Sequence, residues 1–97
     1  MSITRMSEYE AKPGKEEALA EFLKSVLPLI RAIKGNLSVQ LLRNQDKPGC
    51  FIVLEIWEST QAHQESVKNI PPAMIAKALP LLAGIPKGNY YNILDSV

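Results

Sequence analysis

The chain holds little of what metal, redox and nucleic-acid sites are usually built from. It has one cysteine and one histidine in 97 residues. A lone Cys50 forms no internal disulfide and suits a reducing compartment, so the cytoplasm is the expected location. Cys50 and His63 are too few to make a zinc site, which takes three or four protein ligands. The 5 glycines are not arranged as a phosphate loop, a dinucleotide or flavin fingerprint, or a G-x-S-x-G elbow. Any activity is therefore expected to run without a metal, flavin or haem cofactor. Charge of one sign is also missing. The net charge is +1, and the basic residues are scattered from Arg5 to Lys87, which argues against nucleic acid as a partner. The sequence has no apolar run long enough to span a bilayer and no leader pattern, so no membrane partner is expected. The sequon Asn36-Leu37-Ser38 then carries no glycan.

What is present centres on Cys50 to Ser66. Cys50 to Trp57 is dense in apolar, β-branched and aromatic residues and reads as a strand. Phe51, Val53 and Trp57 share one face, interrupted by Glu55; Ile52, Leu54 and Ile56 share the other. A strand with one buried face alternates apolar with polar, and this one does not, so both faces need a cover. Residues 1–97 make one domain, and a chain this short buries only roughly 60–65% of its unfolded surface, so it gains from association. At Ser59, a good N-cap, the period becomes helical, with Ala62, His63, Ser66, Val67 and Ile70 at helical spacing; His63 shares a face with Val67 and Ile70, and that face is expected to point toward the sheet or a pocket edge.

The remaining elements follow in order. Ile3 to Glu10 reads as a strand, and Lys12-Pro13-Gly14 breaks it. Ala18, Leu19, Phe22, Leu23, Val26, Leu27, Ile30 and Ile33 form a helical stripe between Lys15 and Ile33, with acids in the first turn and Gly35 as terminator. Pro28 inside that stripe predicts a kink or break. Leu37 to Asn44 is a second strand, turned by Gln45 to Gly49 into the central one. Pro72 opens a short helix to Ala78, Leu81 to Gly84 adds a further turn, and Asn89 to Asp95 is the last strand. The order β-α-β-β-α-β is the ferredoxin-like α+β arrangement, an antiparallel sheet with its helices on one face.

The run Glu55-x-Trp57-x-Ser59 with Ala62 five residues after the tryptophan resembles the antibiotic-biosynthesis monooxygenase family. Lys12-Pro13-Gly14-Lys15 before the long helix, and Leu41-Leu42-Arg43-Asn44 before the turn Asp46-Lys47-Pro48-Gly49, fit the same family, and the likeness runs from about Ile3 to Leu94. The resemblance implies a dimeric α/β barrel, two subunits paired sheet to sheet. It also implies a cofactor-independent monooxygenase acting on a small aromatic, quinol-like compound with dioxygen. Departures exist. Many relatives carry a histidine nine residues after the tryptophan, where Ser66 stands here. Haem-degrading relatives use an asparagine on the first strand, and Ile3 to Glu10 has none.

Four residues are candidates for the site. His63 is the only side chain whose ordinary pKa lies near neutrality, so it is the candidate base; the alternative is a core-edge histidine bonded to a backbone carbonyl. By the resemblance Trp57 walls a substrate pocket, and otherwise it is a large core residue. Glu55 in an apolar strand needs a partner, and Arg43 or Arg5 can supply one. Such a pair anchors a substrate oxyanion or is purely structural. Tyr9, Tyr90 and Tyr91 each offer a hydroxyl that the sequence does not rank. A non-enzymatic dimer of the same fold, binding a small ligand or stabilising a partner, and a proton-transfer isomerase remain as alternative functions. A closed apolar pocket reaching Trp57 and His63 would favour an enzyme.

Overall fold

In chain order, the computed structural model, which describes residues 2–97, contains β1 (Ile3–Glu10), α1 (Glu16–Arg31), β2 (Asn36–Arg43), β3 (Cys50–Trp57), α2 (Thr60–Val67), α3 (Pro72–Ala78) and β4 (Lys87–Tyr91). A 3-10 turn at Leu79–Leu81 follows α3. The four strands form one antiparallel sheet in the order β2-β3-β1-β4, the ferredoxin-like topology expected from the element order.

Turn chemistry sets the entries and exits. Lys15 N–H bonds the Lys12 carbonyl at 2.9 Å, with Pro13 and Gly14 between and Gly14 at φ +83°; that is a type II turn, which needs the positive φ. It feeds α1, whose first turn carries Glu16 and Glu17 against the helix dipole. In the β2–β3 hairpin, Asn44 Oδ1 accepts from the N–H groups of Asp46 (2.8 Å) and Lys47 (3.0 Å) and so fixes the bend. Ser59, in extended backbone, caps α2 by accepting the Ala62 N–H at 3.1 Å.

The core lies between one sheet face and the helices. Leu19, Ala20 and Leu23 of α1 meet Phe51 and Val53 of β3, with Ala11 and Leu82 closing one end. Each large member adds about 1.5–3 kcal/mol by leaving water. Leu27 and Ile30 pack on the same cluster, which explains how α1 continues through Pro28 to Arg31 without the expected break. The proline removes one backbone bond, and packing on both sides of it holds the last turn.

Three further expectations are corrected. Val67 and Ile70 do not point at the sheet: they are exposed, and the inward face of α2 is His63 and Ser66. Ser66 satisfies itself there by donating to the His63 carbonyl at 2.6 Å. The last strand begins at Lys87 and stops at Tyr91, leaving residues 92–97 exposed instead of paired as far as Asp95. The extra turn lies at Leu79–Leu81, where Pro80 sits near the start, a position it tolerates, and not at Leu81 to Gly84.

The second sheet face carries Met6, Ile52, Leu54 and Ile56, all half-buried, with Leu42 and Tyr91 more exposed. The helices occupy the opposite face. Among the described residues, no helix is long and apolar enough to cross a membrane.

Candidate active site

Strand alternation and register bring a set of polar side chains under α2. Arg5 of β1 pairs with Glu55 of β3 on one side and with Tyr90 of β4 on the other, all on the helix-bearing face. Ile3 pairs with Trp57 at the end of the same face. The helix α2 then lowers His63 onto this row. Its ring meets Trp57 edge-on at 5.5 Å and Tyr90 edge-on at 5.4 Å.

Each polar group finds a specific neighbour. The Trp57 indole Nε1–H donates to Glu55 Oε1 at 2.7 Å, inside the core. His63 Nδ1 lies 2.6 Å from the Tyr90 hydroxyl. The Arg5 guanidinium sits over the Tyr90 ring, 4.7 Å from its centroid, and its buried Nε has no hydrogen-bond partner. Gly88, on the same face of β4 as Tyr90, makes the space: a Cβ there would fall on the Arg5 guanidinium.

Burial controls the electrostatics. His63 is pushed down from 6.5 to about 4, first because its cation would lose water and second because Arg5 is nearby, so the ring is neutral throughout the physiological range. Glu55 is raised by burial, an effect the Trp57 bond and the Arg5 charge oppose. Tyr9 is raised too, by burial and then by the Glu55 charge. A neutral imidazole beside a phenol and a cation can accept a proton while the cation steadies the anion left behind.

Glu55, Trp57 and His63 thus come together as neighbours, and Arg43 does not join them. Arg43 pairs in register with Phe51, lies over that ring at 4.8 Å, and bridges to Glu17 of α1 at 3.0 Å on the surface. Arg5 takes the place beside Glu55. Tyr90 is the residue that sequence reasoning could not select from the three tyrosines. Trp57 is 1% exposed and so has no free face to wall a ligand; in this conformation it holds Glu55 and backs His63. Two surface clefts lie outside the cluster. One, of about 610 Å³, is walled by residues such as Tyr9, Arg43, Cys50 and Phe51, and the other, of about 600 Å³, by Gly35, Glu58, Ala62 and Ser66. Neither is lined by Trp57 or His63. No group of three or more His, Cys, Asp or Glu suited to a metal ion occurs among the described residues.

A family model described as antibiotic biosynthesis monooxygenase matches residues 2–71. A crystal structure of a protein of unknown function from Nitrosomonas europaea is 31% identical, with 99% of this chain and 92% of that one covered and a TM-score of 0.84. A Mycobacterium tuberculosis structure is 21% identical over 99% of this chain and 98% of that one, at a TM-score of 0.83. SnoaB, a cofactor-independent oxygenase from Streptomyces nogalater, is 13% identical over 99% and 96%, at 0.79, a likeness of fold. No curated protein matches the sequence.

Proposed function

The chain belongs to the antibiotic biosynthesis monooxygenase family, and from that premise we propose that it is a cofactor-independent monooxygenase of a small aromatic, quinol-like compound. The observation that carries the reading is His63: a buried imidazole, neutral at physiological pH, bonded to a phenol and flanked by a cation. Such a substrate supplies its own electrons once deprotonated. The anion reduces dioxygen; one oxygen atom enters the product and the other leaves as water. The protein then has only to remove the proton, exclude water and hold the oxygen close.

In this scheme His63 is the base, and Arg5 steadies the developing anion, the role that the sequence offered to Arg43. Trp57 and Glu55 fix the back of the site. The depressed pKa of His63 is no obstacle in the complex, because a substrate anion beside the ring attracts the imidazolium charge. The uncovered apolar sheet face supports a homodimer formed sheet to sheet, and the single free cysteine suits the cytoplasm. One observation favours a second reading, a ligand-binding or structural dimer without chemistry: both clefts stop short of Trp57 and His63. Oxygen uptake with a panel of quinols and anthrones, no cofactor added, separates the two.

A further inference from the structure

We propose that Tyr90 is the group that meets the substrate, and that the substrate's proton reaches His63 Nδ1 by way of the Tyr90 hydroxyl. This rests on the monooxygenase reading above and adds the route into its site. His63 is 8% exposed and sits between the rings of Trp57 and Tyr90, whereas Tyr90 is 37% exposed. A molecule arriving from solvent therefore touches the phenol before the imidazole. Tyr90 also stands on β4, the outermost strand on that side of the sheet, so the approach is from the β4 edge.

The 2.6 Å separation of Oη and Nδ1 leaves room for one proton between them. The relay requires the tautomer in which Nδ1 accepts and Nε2 keeps its hydrogen, so that Tyr90 donates inward and turns an oxygen lone pair outward. The step balances as two linked transfers. The acidic O–H or C–H bond of the substrate breaks and its proton bonds to Tyr90 Oη. The Tyr90 O–H breaks at the same time and its proton bonds to His63 Nδ1. The electron pair stays on the substrate as an anion, and the protein holds the single added proton as imidazolium. That proton, together with the second hydrogen lost from the substrate carbon being oxidised, goes to the reduced oxygen atom that departs as water. Arg5, over the Tyr90 ring, supplies a positive charge beside the point where the anion forms. Gly88 keeps that place open for Arg5. The chemistry selects a flat phenol, quinol or enolisable ring ketone whose acidic group can reach Tyr90.

The bond could instead only tie β4 to α2, and the test separates the two roles. His63 is the sole histidine, so a long-range proton–nitrogen NMR spectrum reads its ring alone. Wild type should show the Nε2–H tautomer with Nδ1 hydrogen-bonded, and Tyr90→Phe should shift the Nδ1 signal. In turnover with an active quinol, Tyr90→Phe should lose roughly tenfold to hundredfold in kcat with KM nearly unchanged. Wild-type rates in mixtures of light and heavy water should follow a curve, since two protons move together. An Nδ1–H tautomer in wild type, a linear isotope dependence, or a Tyr90→Phe rate equal to wild type would overturn the relay. In the last case, loss of activity in His63→Gln leaves His63 as a direct base. A wild type inert toward every quinol sinks the underlying reading and the relay with it.

Discussion

Acidification is the perturbation that tests the buried state of His63 directly. The ring is held at about 4 in the folded chain against 6.5 in an unfolded one. Between these values the unfolded chain binds more protons, so stability is full above 6.5 and is lost as pH falls to about 4. The complete linkage is about 3 kcal/mol; the phenol it bonds is partly open to water, which screens the charge, so about 2 kcal/mol is expected. The groups facing the ring are Arg5 from β1, Glu55 from β3 and Tyr90 from β4. Glu55 works in the opposite sense, because its raised pKa destabilises the fold at high pH and that effect is relieved on acidification. Urea unfolding at several pH values between 7 and 4, in wild type and His63→Gln, cancels Glu55 and the surface carboxylates. Wild type should lose about 2 kcal/mol more than the variant across that range. Parallel curves would refute the claim that the imidazole is buried and neutral.

Trp57→Phe removes the donor to Glu55 and leaves a buried carboxylate unpartnered, costing about 1–3 kcal/mol in urea unfolding; adding Glu55→Gln should recover part of it. Gly35→Ala meets both a φ of +92° and the Ala62 Cβ at 2.8 Å, so its melting temperature should fall further than that of Gly14→Ala, where φ is +83° but space is open. Leu54→Lys places charge on the uncovered sheet face, and light scattering should show a dimer in wild type and dissociation in the variant. A monomeric wild type at micromolar concentration would end the sheet-to-sheet proposal.

Local chemistry was the legible part of this chain. The bounds of β1 and β3, the Pro13-Gly14 turn, the Ser59 cap and the Pro72 start all follow from residue types whose backbone preferences are strong. Strand parity also placed Glu55 and Trp57 together. Parity names a face but not a height along the strand, and so Arg43 looked like a partner for Glu55. The hairpin puts Arg43 opposite Phe51, four residues further along β3. At about 3.4 Å per residue that is beyond a salt bridge. The face of α2 was misread for another reason. Apolar residues of a helix ordinarily point inward, yet the sheet beneath α2 is polar at Arg5 and Glu55, and the inward residues are His63 and Ser66. Which tyrosine meets His63 depends on the β1–β4 register and on where α2 crosses, both tertiary facts. The length of β4 was hidden similarly, because Asn92 to Leu94 has strand-like residues and no pairing partner.

Oxygen consumption is the most direct test of the central claim. Purified wild type, with no metal, flavin or haem added, is incubated aerobically with quinols and anthrones, alongside His63→Gln, and uptake is followed from pH 7 down to 4. The account expects uptake above the uncatalysed background, an acid limb in the free enzyme near 4 and not 6.5, and a loss of roughly two to four orders of magnitude in His63→Gln with the fold intact. Uptake that is equal in wild type and His63→Gln, or indistinguishable from background with every compound, would contradict it.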